Sequence, residues 1–262
     1  MKFRILGSVG VEVDGHFRSV RGGQQRALLA ALLVSGGRLV PAEELYTELW
    51  GTEPPLTVEN ALQAHVSRLR RTLQEWGSSA PSLVTRSTGY ALEFPAEELD
   101  MNVFRSRVAE ARRAVPTDSA WAAGLLGEAL GLWRGAPLQD VAGGPLCRSV
   151  AVQLEEEHLA ATEDKLWFDF ECDVPSAIGE LKRMSIVHPW RERVTEMLML
   201  ALYRYGRQAE AIETYHTARG RMVDELGIEP SPQLRERFLA ILNQAPLLPG
   251  RRTASPQLVR SA

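Results

Sequence analysis

Between Val58 and Gln74 the sequence places Asn60, Gln63, Ser67, Arg68, Arg70 and Arg71, with Glu59 as the only acid. These side-chain types suit one kind of chemistry. A carboxamide can bond an adenine edge at two points, and a guanidinium can do the same at guanine O6 and N7. Small residues such as Ala64 and Ser67 let a helix come close to a groove. A second group follows in Thr85-Arg86-Ser87-Thr88. An arginine can enter a narrow minor groove, where the potential is most negative, and hydroxyls hold phosphates without reading sequence. The candidate DNA-contacting residues are therefore Asn60, Gln63, Ser67, Arg68, Arg70, Arg71, Arg86 and Thr88.

Two elements must hold these groups. Thr57 stands as N-cap of a third helix running to Trp76, whose apolar side is Val58, Ala61, Leu62, Val66, Leu69 and Leu73. Projected at about 100° per residue, Asn60, Gln63, Ala64, Ser67, Arg70 and Arg71 fall opposite that stripe. Arg68 lies on one flank, and His65 on the core flank reads as structural. Taken alone, such a face also fits a solvated amphipathic helix. The hairpin after it, Leu83-Val84-Thr85 and Tyr90-Ala91-Leu92 around Ser87-Thr88-Gly89, shifts the reading toward DNA by bringing Arg86 beside the same face.

Upstream, Phe3, Ile5, Val9, Val11 and Val13 alternate as strands do, and Asp14-Gly15 is a hairpin turn signal. A helical pattern begins at Gln24 and stops at Gly36-Gly37. Pro41 is placed as the first residue of a second helix, closed by Trp50-Gly51. Strands, three helices and a hairpin make a winged helix-turn-helix with an N-terminal sheet. After Pro95 strand signals vanish, and helices are expected over 101–114, 119–133, 149–171, 174–187, 190–204, 207–225 and 231–243. Ala211, Tyr215 and Ala218 fit the second helix of a tetratricopeptide repeat, although Met199 stands where glycine is usual. The expected class is mainly α with small β elements. Its domains are a winged domain over 1–95, a tetratricopeptide-like helical domain over 96–244, and a disordered tail over 245–262.

The chain of 262 residues has a net charge of −3, which at first argues against nucleic acid. Division by domain changes that. Residues 1–95 hold 10 basic and 9 acidic residues, the remainder 20 and 24. Five of the nine acids of the first part, Glu12, Asp14, Glu43, Glu44 and Glu48, cluster in the sheet and the second helix, away from the third-helix and wing arginines; the field is local, so affinity per protomer should be modest. Cys147 and Cys172 fit no metal or disulfide framework, and the five histidines lack ligand spacing. No apolar run approaches the length of a membrane span and no signal peptide opens the chain, so a cytoplasmic protein is expected, nucleoid-associated when bound to DNA. No catalytic or cofactor signature is present, and no cofactor is expected. Trp133 and Tyr203 read as core, His188-Pro189-Trp190 as a helix-start turn packed by its tryptophan, and Glu155-Glu156-Glu157-His158 as a solvated face.

Several stretches in fixed order resemble the Streptomyces antibiotic regulatory proteins. In the winged part these are Arg26-Ala27-Leu28-Leu29-Ala30, Leu49-Trp50-Gly51, Pro54-Pro55, Leu62 to Arg71, and Thr88-Gly89-Tyr90. In the helical part they are Leu132-Trp133-Arg134-Gly135, His188 to Glu192, Ala201-Leu202-Tyr203-Arg204, Gly206 to Ala211, and Glu225 to Pro232. The resemblance covers about residues 1–244. It implies an OmpR-type winged domain followed by a bacterial transcriptional activation domain. The implied function is an activator of a secondary-metabolite gene cluster, binding direct repeats near promoters. Its partners would be double-stranded DNA, RNA polymerase holoenzyme with its sigma factor, and further protomers on DNA. On the same pattern Arg68 would contact a base, Arg70 a phosphate, and Arg86 the wing's groove. Ser67 replaces an arginine frequent in OmpR-type proteins. No receiver domain is expected to act on the helix-turn-helix, and no GxxxxGK[ST] loop occurs in these 262 residues. The competing class is a helical-repeat scaffold or effector-sensing regulator whose winged domain docks proteins.

Overall fold

The computed structural model describes residues 1–77, 82–114, 118–172 and 174–245. The expected tail lies outside them save for Ala245. By contacts the chain divides into two compact units, Met1–Lys165 and Leu166–Ala262.

The first unit opens with an antiparallel sheet of β1 (Lys2–Arg4), β2 (Gly10–Val13) and β3 (His16–Arg18). Val13 pairs with His16 across a two-residue turn. Asp14 and Gly15 both take positive φ there, 52° and 79°, as a hairpin with right-handed twist requires. Helices α1 (Gly23–Val34), α2 (Ala42–Trp50) and α3 (Val58–Trp76) follow. Strands β5 (Ser82–Arg86) and β6 (Gly89–Glu93) form the wing. Pro41 does not begin α2. It ends a short strand β4 (Val40–Pro41), which pairs with β6 and makes the wing a three-stranded sheet in the order β4-β6-β5. Gly89 permits that pairing, because a Cβ there would overlap the Val40 carbonyl. Thr57 does precede α3, but its side chain makes no cap hydrogen bond.

Helices α4 (Asp100–Ala114) and α5 (Ser119–Leu130), together with α6 (Pro145–Cys172) as far as Lys165, belong to the same unit. The tie to the N-terminal sheet is polar and buried. Asp100 accepts the amides of Ile5 and Leu6 at 2.9 and 3.3 Å and faces Arg134 at 3.2 Å. Asp140 accepts the Val9 amide at 2.8 Å. Trp133 is wedged edge-on to Phe104 at 5.3 Å and against His158 at 4.3 Å. The Glu155–His158 run is thus only partly a solvated face. Glu157 binds Arg105 through both oxygens, and His158 turns inward to Trp133.

In the second unit, α7 (Val174–Val187), α8 (Glu192–Arg204) and α9 (Gln208–Arg221) pack in succession, and α10 (Pro232–Leu242) lies on α8 and α9. Residues 222–226 form a π turn. Tyr215 stacks on Phe238 at 4.0 Å. Glu196 on α8 is held by Gln233 and Arg237 from α10. Trp190 is 43% exposed, so the 188–190 turn is not packed by it; backbone bonds from His188 to Met184 and from Arg191 to His188 close it.

Candidate nucleic-acid interface

The apolar stripe of α3 is buried as Leu62, Val66, Leu69 and Leu73. This orients the rest of the helix. Asn60, Gln63, Ala64, Ser67, Arg68 and Arg71 are exposed, and the exposed wing end carries Arg86 and Thr88. Arg70 is placed differently from its neighbours. Its guanidinium donates to the Leu83 carbonyl at 3.2 and 2.7 Å and to Thr85 Oγ1 at 3.2 Å, lacing α3 to β5. Arg86 pairs with Glu93 at 3.0 Å, with both side chains more than half exposed. A pair this wet contributes little and exchanges readily for another anion.

The wing turn is anchored beneath its tip. The Thr88 carbonyl accepts the Ala42 amide at 2.9 Å, where α2 begins. The helix and the wing are therefore joined by Arg70 on one side and by β4 and α2 on the other.

Sequence reasoning passed over the polar groups that position this surface. Glu48, counted above as a charge of the second helix, is buried, and its carboxylate accepts the amides of Leu146 and Cys147 at 2.9 and 3.0 Å. The signal for it was the glycine pair Gly143-Gly144, since a Cβ on Gly144 would collide with Glu48. Gln25, buried on α1, reaches His65 on α3. Burial and then the neighbouring Glu48 push the Cys147 thiol far above its ordinary range, so a thiolate nucleophile is disfavoured. Among the described residues there is no group of three or more potential metal ligands, and no helix is long and apolar enough to cross a membrane.

Two family models match the chain. Residues 21–92 match "Transcriptional regulatory protein, C terminal", and residues 99–242 match "Bacterial transcriptional activator domain". The transcriptional regulator RedD of Streptomyces coelicolor is 39% identical over 95% of this chain and 72% of its own length. The chain belongs to the Streptomyces antibiotic regulatory protein family.

Streptomyces antibiotic regulatory proteins are transcriptional regulators, not enzymes. Every candidate contact residue lies inside the first matched region. The regulatory protein AfsR of Streptomyces griseus is 38% identical over 92% of this chain, but the match spans only 24% of that longer relative. Among solved structures, Mycobacterium tuberculosis EmbR in complex with a low affinity phosphopeptide superposes with a TM-score of 0.89 at 30% identity. The match covers 94% of this chain and 66% of that one. A mainly helical regulator with an N-terminal winged domain is thus established.

Proposed function

We propose that this chain activates transcription of a secondary-metabolite (antibiotic) gene cluster by binding direct repeats near promoters and recruiting RNA polymerase holoenzyme through its sigma factor or other subunits. In this reading residues 1–95 bind DNA and residues 96–244, a tetratricopeptide-like domain, engage polymerase in the cytoplasm at the nucleoid. The observation that carries the DNA step is the exposed face of α3. It sets Asn60, Gln63, Ser67, Arg68 and Arg71 next to a wing bearing Arg86 and Thr88, and its two acids, Glu59 and Glu75, stand at opposite ends of the helix. Amides and guanidinium groups on α3 read base edges in the major groove, while Arg86 leaves Glu93 for the backbone or the minor groove.

With so few exposed cations per protomer, two or more protomers on adjacent repeats, or polymerase itself, supply the remaining affinity. Footprinting on the promoters of the surrounding gene cluster, with and without polymerase, tests the whole reading. Protection of repeated sites that strengthens with polymerase is expected. Binding to duplex should also fall with salt at about 0.9 log units per phosphate contact per log unit of salt. A flat salt dependence with retained protein binding would favour a protein-docking module instead.

A further inference from the structure

The apolar stripe that seats α3 consists of leucines and a valine. Such packing is non-directional: it sets which face of the helix is buried but leaves the last degrees of rotation to directional contacts. Arg70 supplies one such contact to β5 on the wing side, and a second, to α1, is buried. Gln25, 2% exposed on α1, places Nε2 at 2.8 Å from His65 Nδ1 and at 3.2 Å from the His65 carbonyl oxygen. A carbonyl can only accept, so the amide nitrogen must be the group facing α3, and Nδ1 must present its lone pair. The opposite amide orientation would set Gln25 Oε1 against the carbonyl oxygen. As placed, Oε1 is buried without a partner, a cost offset by the two bonds from Nε2. Trp50 of α2 closes the far side of the imidazole, edge-on at 5.8 Å.

We propose that Gln25 and His65 are positioning residues of the DNA-reading helix. The neutral imidazole locks the rotation of α3, and its protonation releases the lock. Gln63, Ser67 and Arg68 lie within three residues of His65, so a small rotation moves all three relative to the groove. This rests on the DNA-binding reading above.

Protonation would place an N–H against the Gln25 amide hydrogens, turning a bond into a repulsion. Burial, and after it the charge of Arg68, hold the imidazole below its ordinary range, which keeps it neutral near pH 7. Of the other charges on the packed helices, Glu43 and Glu44 of α2 are exposed, and the less exposed ones are engaged elsewhere. On α1, Arg26 binds Asp140 and the Val20 carbonyl. On α2, Glu48 binds the amides of Leu146 and Cys147.

The test uses the full chain and fluorescence anisotropy on two duplexes, the footprinted promoter site and a scrambled duplex of equal length, at constant ionic strength. The quantity read is the ratio of the two affinities between about pH 7.5 and about pH 5. For the wild type the ratio should fall about five- to tenfold on acidification, the equilibrium weight of one hydrogen bond. His65→Asn supplies an acceptor without a titratable proton, so its ratio should be independent of pH. His65→Leu and Gln25→Leu should hold the ratio at the low value at both pH values, with far-ultraviolet circular dichroism reporting the fold. If His65→Asn declines in acid as the wild type does, or folded His65→Leu keeps the neutral-pH ratio, the positioning role is overturned. A wild type that never prefers the promoter duplex, at any pH, would reject the DNA reading itself and this inference with it.

Discussion

Arg68 and Arg70 stand two positions apart on α3 and meet different surroundings. Arg68 is exposed beside Gln63 and Ser67, free to approach a base edge. Its replacement by alanine should cost about 1–3 kcal/mol of binding and relax base preference. Competition titrations across operator variants check this, and equal weakening on every sequence would contradict it. Arg70 spends its guanidinium on Leu83 and Thr85. Arg70→Ala should weaken binding to all duplexes alike. It should also speed hydrogen exchange along β5, because the helix-to-wing lacing is lost; unchanged exchange there would assign Arg70 to the phosphate alone. Spacing along a helix cannot separate these roles. The difference lies in which partner the fold brings within reach.

At the level of elements, buried carboxylates join the winged elements to the helices that follow. Both oxygens of Glu48 meet amides in the first turn of α6, where unpaired N–H groups and the helix dipole favour an anion. Glu48→Ala should destabilise the protein by about 1–3 kcal/mol, since it leaves buried donors unmet. A lower urea midpoint with an unchanged slope is the expected result.

His158, packed on Trp133, gives α6 a dependence on pH. Burial holds its imidazole below the ordinary range. The unfolded chain therefore takes up a proton near pH 6.5 while the folded one does not. The stability linked to His158 is complete above that pH and is lost as the pH falls toward the folded value. A series of melting temperatures from about pH 7.5 down to about pH 5 should decline more steeply for the wild type than for His158→Gln. Parallel curves would show that His158 does not contribute.

For the whole molecule, the division of contacts bears on truncation. The first compact unit runs to Lys165. It includes Asp100 and Asp140, which accept amides of the connection between β1 and β2, and the α6 turn that receives Glu48. A fragment ending near residue 95 loses all of these partners, exposing Phe3, Ile5 and Leu6, which are fully buried in the intact chain. Residues 1–165 should therefore melt cooperatively and at a higher temperature than residues 1–95, by calorimetry. Equal melting temperatures would mean the winged elements are self-sufficient. If the longer fragment binds promoter duplex but fails to activate transcription in vitro, the remaining helices carry a necessary part of activation.

The local patterns that specify elements were legible along the chain. The period-two strands, the Asp14-Gly15 turn, the stripe of α3 and the hairpin around Ser87-Thr88 are short-range statements, because backbone geometry dictates which neighbours share a face. The family could be read too, since its stretches are contiguous. Four assignments depended on distance in sequence: β4 on the wing, Glu48 on α6, Asp100 under the first sheet, and Gln25 beneath His65. Each involves a polar or single-residue partner that lies 40 to 99 positions away or breaks a helical pattern, as Pro41 does. Hydrophobic period carries no information about such partners. Composition and spacing alone thus determined the order of the main helices and hairpins and the exposed face of the third helix, and the resemblance of contiguous stretches pointed to the regulator family. Tertiary structure decided which arginines remain free and what holds that helix in place, because a buried hydrogen bond is specified only when both of its ends have been brought together.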